Sequence, residues 1–254
     1  MMKGKDLKIT SSIVSEEQAK NRKNLISLFR NNPLPEDELM RNLGLFLNPA
    51  DLRKFLFMND LYLKNKAIHG VIIEFGVRWG QNLALFQSLR SIYEPYNYSR
   101  KIIGFDTWEG FPSVHEKDGK SSSVQKGAYS VSAGYEEFLE QMLSLQEKES
   151  PLGHLKKFEL CKGDATVELE KYLTEHPETI ISLAYFDFDI YEPTKKCLEL
   201  IRPHLTRGSV LAFDELNQPL FPGETVALRE VFGLDKYSVQ RSPYSHYQSF
   251  LVID

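Results

Sequence analysis

The chain has 254 residues, 42% of them hydrophobic and 26% charged, with a formal net charge of -4 and a pI near 5.9. That length suits one large α/β domain with decorations, and the acidic balance excludes the basic surface of a nucleic-acid or membrane-surface protein. The two cysteines, Cys161 and Cys197, lack metal-ligand spacing and read as reduced thiols of a cytoplasmic protein, while the sequence shows neither a signal-like start nor an apolar run long enough to span a bilayer.

Residues 1–20 are polar and expected to be poorly ordered. Residues 15–30 (SEEQAKNRKNLISLFR) predict a helix with Ser15 as N-cap and Leu25, Ile26, Leu28 and Phe29 on its apolar side. Pro33 and Pro35 end it, a second helical region spans 36–46, and Asn48-Pro49 resets the chain. A third helix is expected over 50–64, with Leu52, Phe55, Leu56 and Leu63 on its buried side. Together these make an N-terminal helical cap, residues 1–65, joined to a domain over 66–254 as a single structural unit. The cap suits a border to a ligand pocket as well as it suits a cover for the sheet or a dimer contact.

The stretch 71–80 (VIIEFGVRWG) organises the rest. A β-branched run ends in Glu74, two glycines follow at 76 and 80, and an amphipathic helix pattern begins. This predicts a buried parallel strand, a tight turn and a helix whose N-terminus faces a ligand, with Gly76 letting the ligand approach the backbone. The spacing E-x-G-x-x-x-G differs from the G-x-G-x-x-G of a pyrophosphate loop, which favours a phosphate-free cofactor such as S-adenosylmethionine.

Residues 100–106 (RKIIGFD) predict a second strand whose terminal Asp106 lies where ribose hydroxyls are received in doubly wound sheets. An aromatic-rich turn follows at 107–112. Residues 113–155 form an insertion with the length of a lid, its Ser-rich part expected to be mobile and residues 135–146 helical. His115 and His154 within it read as solvated. A third strand at 157–161 leads to Asp164, suited to the adenine amino group, to capping the next helix, or to both. A fourth strand at 180–187 runs into a helix, and Arg207-Gly208 turns the chain into a fifth at 209–213. Residues 225–232 read as helix, and 237–240 with 247–253 as a closing antiparallel pair. The alternation predicts a doubly wound sheet.

Four acids follow the last two parallel strands: Asp187, Asp189, Asp214 and Glu215. If those strands are neighbours, the carboxylates converge outside their carboxyl ends and repel unless a proton or cation joins them. A hard cation such as Mg²⁺ would take these oxygens and lower the pKa of a bound hydroxyl, with Asp189 as the candidate base. Pairing with Arg78, Lys195 or Arg202, or helix capping, accounts for one or two of them.

The series EFGVRWG, IIGFDTWEGFP, GDA, LAYFDFDIYEPT and VLAFDELN…FPGE resembles the macrocin O-methyltransferase family of class I S-adenosylmethionine-dependent sugar O-methyltransferases, and is most similar to its calicheamicin-pathway members. The resemblance spans roughly residue 50 to the end. It implies a Rossmann-like α/β fold, with a seven-stranded, mostly parallel sheet and an antiparallel C-terminal strand. It also implies methylation of a hydroxyl on a sugar or nucleotide-sugar acceptor, with a homo-oligomeric protein and no nucleic-acid or membrane partner. By motif position, Glu74, Gly76 and Arg78 would line the methionine side of the cofactor, Asp106 the ribose and Asp164 the adenine. Phe75, Gly80, Thr107, Phe111, Ala165 and Asp187 complete that set. Asp187, Asp214 and Glu215 fall at the Mg²⁺-ligand positions, and Asp189, beside Asp187, at the position of the base. One departure is Glu215, where the family often has a second Asp. A metal-dependent methyltransferase of a small phenol or catechol, an NAD-dependent oxidoreductase and a catalytically silent binding module are the competing readings.

Overall fold

The computed structural model describes residues 15–254. The expectation of poor order for residues 1–14 lies outside them. The chain divides into two compact units, Met1–Lys54 and Phe55–Asp254. The division falls inside a helix, so the connection is helical rather than a loop.

In the first unit, α1 (Glu16–Arg30) opens on a capping box in which Ser15 and Gln18 satisfy each other's backbone amides. Residues 16–20, expected to lack order, are this capped first turn. Next come α2 (Glu36–Arg41), a 3-10 turn at Leu43–Phe46 and the start of α3 (Pro49–Asn65). No residue of α1 is buried, and Leu25, Ile26, Leu28 and Phe29 are all exposed. Phe29 meets Phe46 edge-on at 5.0 Å.

The second unit is built on one sheet. Its strands are β1 (Val71–Phe75), β2 (Ile102–Asp106), β3 (Phe158–Lys162), β4 (Ile181–Phe186), β5 (Leu205–Phe213), β6 (Gln240–Arg241) and β7 (Ser249–Val252). They lie in the order β3-β2-β1-β4-β5-β7-β6. The first five are parallel, and β7 runs antiparallel to both β5 and β6. The winding reverses between β1 and β4, and ligands of open α/β sheets bind at that switch point.

Both faces of the sheet are covered, so successive strand residues are all apolar and alternate between two cores. Ile73, Phe75, Ile103, Phe105, Ala184 and Phe186 face α6 (Ala165–Glu175), α7 (Tyr191–Ile201) and α8 (Gly223–Val231). Ile72, Ile102, Leu183, Tyr185 and Val210 face α3, α4 (Gln81–Tyr93) and α5 (Tyr135–Lys148). No helix among the described residues is long and apolar enough to cross a membrane.

Two local expectations need correction. The buried stripe of α3 is Phe57, Met58, Leu61, Tyr62 and Asn65, whereas Leu52, Leu56 and Leu63 are exposed and Phe55 only half-buried. Both stripes have helical spacing, and the position of the sheet decides between them. The fifth strand starts at Leu205 rather than 209, because Gly208 (φ +91°) accommodates an irregularity opposite β4 instead of a turn. The Ser-rich part of the insertion is folded back on the turn after β2. Phe111 N–H donates to the Ala128 carbonyl at 3.0 Å, Gly127 N–H to the Phe111 carbonyl at 2.9 Å, and Asp118 is buried. The helix that follows, α5, buries Leu139 and Leu143 in the second core.

Candidate active site at the carboxyl edge of the sheet

Four neighbouring strands end alike. Phe105, Phe75, Phe186 and Phe213 pair in register across β2, β1, β4 and β5, and their rings form a continuous layer with centroids 4.8–5.5 Å apart. One residue beyond each ring stands Asp106, Gly76, Asp187 or Asp214. The layer is part of the core under α6, α7 and α8, and three of the four strands carry a carboxylate at the residue after their ring.

The loops leaving these strands are conformationally unusual. Arg78, Trp108, Asp189 and Asn217 follow β1, β2, β4 and β5, and all have φ between 50° and 63°. Left-handed backbone at a non-glycine residue costs of order 1–3 kcal/mol and collects at functional sites.

Gly76 (φ +84°) is also required for a reason that the sequence did not suggest. A Cβ there would run into the carbonyl oxygen of Asp187, so the glycine lets the ends of β1 and β4 close on each other. Asp187 N–H donates to the Phe75 carbonyl at 2.8 Å beside it. Gly80 (φ +75°) precedes α4 without a side-chain cap, and a Cβ there would strike Leu139 of α5. The first-turn amides of α4 therefore have no side-chain acceptor at their Ncap, as suits a helix N-terminus facing an anionic ligand group.

Around this turn the predicted cofactor residues are brought together. Glu74 is buried and its Oε1 accepts from Asn82 Nδ2 at 2.8 Å. Asp106 binds the turn itself: Oδ2 accepts from Arg78 N–H at 2.7 Å and Oδ1 from Trp108 N–H at 2.5 Å. Burial raises the Asp106 pKa, and these amides offset part of the rise. Gly163 N–H donates to the Asp106 carbonyl at 2.9 Å, which joins the loop of Asp164 to the same place. Asp164 caps α6 through Thr166 N–H at 2.9 Å, and Ala165 is buried behind it. Thr107 Oγ1 closes its own turn by donating to the Gly110 carbonyl at 2.9 Å. Phe111 sits apart from these, packed with Tyr129, Ile190 and Phe188 on the β4 side.

The acids after β4 and β5 also converge, and a fifth joins them. Asp189 is 8% exposed; burial, then Asp187, Glu215, Glu224 and Asp214, push its pKa well above the usual carboxylate range. Glu224, fully buried in the first turn of α8, is raised by burial and by Asp187, Asp214 and Glu215. Its Oε1 accepts from the backbone N–H of Phe188 at 3.1 Å and of Asp189 at 3.3 Å. Asp214 Oδ1 accepts from Tyr185 Oη at 2.5 Å and from Gln248 Nε2 at 2.8 Å. Tyr129 faces the group from the insertion. Its phenol pKa is raised by burial and by Asp189 and Glu215, and the Arg78 guanidinium lies 4.9 Å from its ring centroid.

Sequence reasoning missed Glu224 and Tyr129. Glu224 was visible only as a helix-start acid in FPGE, and Tyr129 lies in a Ser-rich stretch that carries no signal of its own. The carboxylate oxygens are the donor type that Mg²⁺ prefers. Among the described residues, however, no three His, Cys, Asp or Glu side chains are grouped so that they could hold a metal ion.

No protein-family model matches the chain, and no curated protein sequence does. Solved structures do. The crystal structure of the calicheamicin methyltransferase CalS11 is 42% identical, with a TM-score of 0.92, over 99% of this chain and 98% of that one. An apo structure of CalS11, described as a TDP-rhamnose 3'-O-methyltransferase of calicheamicin biosynthesis, is 40% identical, with a TM-score of 0.83, over 94% of this chain and 95% of that one. The O-methyltransferase NovP shares the fold at 15% identity, with a TM-score of 0.56, over 79% of each chain.

Proposed function

The chain belongs to the macrocin O-methyltransferase family of class I S-adenosylmethionine-dependent enzymes, and from that membership we propose that it methylates a hydroxyl of a nucleotide-linked deoxysugar. TDP-rhamnose is the acceptor to try first, because CalS11, 40–42% identical over nearly the whole chain, is described as acting on it. When bound, S-adenosylmethionine supplies an activated methyl group on its sulfonium. The turn after β1, with Glu74 and Arg78, holds its methionine end; Asp106 receives the ribose, and Asp164 the adenine. The acceptor lies between Tyr129 and the acids.

Asp189 carries the chemistry in this reading. Its carboxyl is buried among other acids, which increases its affinity for a proton, as a base for a sugar hydroxyl requires. It takes the hydroxyl proton while the oxygen attacks the methyl carbon and the sulfur leaves. Orientation of the two substrates supplies the rest of the rate. Mg²⁺ at Asp187, Asp214 and Glu215 would need those side chains to regroup, since no three such groups among the described residues are placed to hold an ion. Carboxylate chemistry alone supports the metal, so no step above is routed through it. The protein works in the cytoplasm, and the exposed apolar side of α1 suits a homo-oligomer.

Titration calorimetry with S-adenosylhomocysteine tests the cofactor side. Wild type should bind, and Asp106→Ala should lose about 1.5–3 kcal/mol of affinity, the size of a hydrogen bond to a charged group. Unchanged affinity would reduce Asp106 to a residue that only braces the turn. Turnover of TDP-rhamnose in EDTA, with and without added Mg²⁺, tests the metal separately.

A further inference from the structure

We infer that Glu224 is a positioning residue for the methyl-transfer reaction: it grips the backbone of the loop after β4 and so holds Asp189 against the acceptor. The inference rests on the reading of Asp189 as the base, and deepens it.

The loop from Asp187 to Tyr191 joins β4 to α7 and is held by backbone bonds to groups outside itself. Asp187 N–H donates to the Phe75 carbonyl of β1, Phe188 and Asp189 N–H both donate to Glu224 Oε1, and Tyr191 N–H donates to Asp118 Oδ1 at 2.5 Å. Within it, Asp189 has φ 63°. An aspartate stays in that conformation only where its surroundings over-determine it. Glu224 supplies the two central contacts, at the strained residue and the one before it.

The seat of Glu224 is itself fixed. At Gly223, the first residue of α8, a Cβ would lie 2.6 Å from both Asp118 Oδ1 and Tyr191 N. The start of α8 is thus pressed onto the start of α7 at the point where Asp118 caps it. Only glycine allows this approach, and it places the next side chain under the Asp189 loop.

The seat gives Glu224 little to hold besides that loop. The residue is fully buried, and its Oε2 is enclosed without a hydrogen-bond partner. Burying a polar atom without a partner works against folding. What the residue provides is one acceptor oxygen at one place, and glutamine provides the same.

The test uses the full chain with S-adenosylmethionine and TDP-rhamnose, and four variants: Glu224→Gln, Glu224→Met, Asp189→Asn and the double Glu224→Met/Asp189→Asn. Glu224→Met should lower kcat by about 10–100-fold, the scale of loss when a reacting group is misplaced by an ångström. Its KM for S-adenosylmethionine and its affinity for S-adenosylhomocysteine should not change. Glu224→Gln should restore kcat to near wild type, and Glu224→Met should add no further loss to Asp189→Asn. Glu224→Ala replaces the Met variant if circular dichroism shows that Met does not fold. Wild-type kcat in Glu224→Met, or independent multiplication of the two losses, overturns the inference while leaving Asp189 as the base. Full activity in Asp189→Asn overturns both.

Discussion

At the amino edge of the sheet Arg90, Arg100, Lys157, Glu94 and Glu147 lie together, all buried or nearly so; at the carboxyl edge Asp187, Asp189, Asp214, Glu215 and Glu224 do. The first group is compensated. Arg90 pairs with Glu147 at 2.6 Å, Lys157 with the same carboxylate at 2.7 Å, and Arg100 with Glu94 at 3.0 Å. Leftover guanidinium donors reach carbonyls of Gly70, Lys66 and Lys157, which tie down the entries to the strands. The second group sets like charges against one another, and two of its members have their pKa values driven far up as a result. The same sheet thus carries two kinds of charged cluster. One edge spends paired charge on holding strands in place, and the other gathers acids, the arrangement that the proposed base chemistry would use.

Substitutions should separate the two edges cleanly. Asp189→Asn should lower kcat on TDP-rhamnose by about 10²–10⁴-fold and leave S-adenosylhomocysteine affinity unchanged. Its melting temperature should not fall, since the amide keeps the shape of a carboxyl that burial already drives towards its uncharged form. Arg100→Met should do the reverse, destabilising the fold by about 3–5 kcal/mol because Glu94 loses its partner. That corresponds to roughly 6–20 °C in Tm for a domain of this size, with kcat per folded molecule retained. A stable Arg100→Met, or an unstable Asp189→Asn, would erase the distinction.

The contrast extends to pH. Burial alone would raise the Glu94 pKa, but hydrogen bonds from Arg100, Tyr62 and Asn97 outweigh it and hold the group below its ordinary value. The native state then binds fewer protons than the unfolded chain between the two values. Its contribution is complete above the ordinary glutamate pKa and is lost as pH falls through the depressed one. Glu94→Gln should therefore cost about 1.5–3 kcal/mol at neutral pH, and the gap to wild type should close on acidification. Urea unfolding across that range measures it; a constant gap would mean that Glu94 has no linked proton.

The smallest effect is expected at the rim. Tyr129→Phe removes one hydroxyl that faces Asp189 and Glu215, and should raise KM for the acceptor by the equivalent of about 0.5–1.5 kcal/mol. Initial rates at varied TDP-rhamnose would show it, and an unchanged KM would place Tyr129 outside the acceptor pocket.

How much of this was legible follows from where each signal sits. The strand ends were readable because a β-strand between two helical layers is an apolar run, and an acid that stops such a run stands out, as at Asp106, Asp187 and Asp214. The gathering of acids was readable only on the condition that β4 and β5 are neighbours, which the strand order supplies. Glu224 was not readable, since an acid in the first turn of a helix has an ordinary explanation and only the packing of α8 on α7 brings it under Asp189. At Gly76 only part of the reason was readable: a strand-end glycine looks the same whether a ligand or the Asp187 carbonyl needs the space. The face of α3 and the compact return of residues 111–128 depend on what they pack against, which local pattern does not record.

The most direct test of the whole account is mass spectrometry of the products formed from S-adenosylmethionine and TDP-rhamnose, beside a panel of other nucleotide sugars and a catechol. The account predicts a singly methylated nucleotide sugar, with the methyl on a sugar oxygen, and its near absence with Asp189→Asn. A methylated catechol without any methylated sugar, or equal sugar product from wild type and Asp189→Asn, would contradict it.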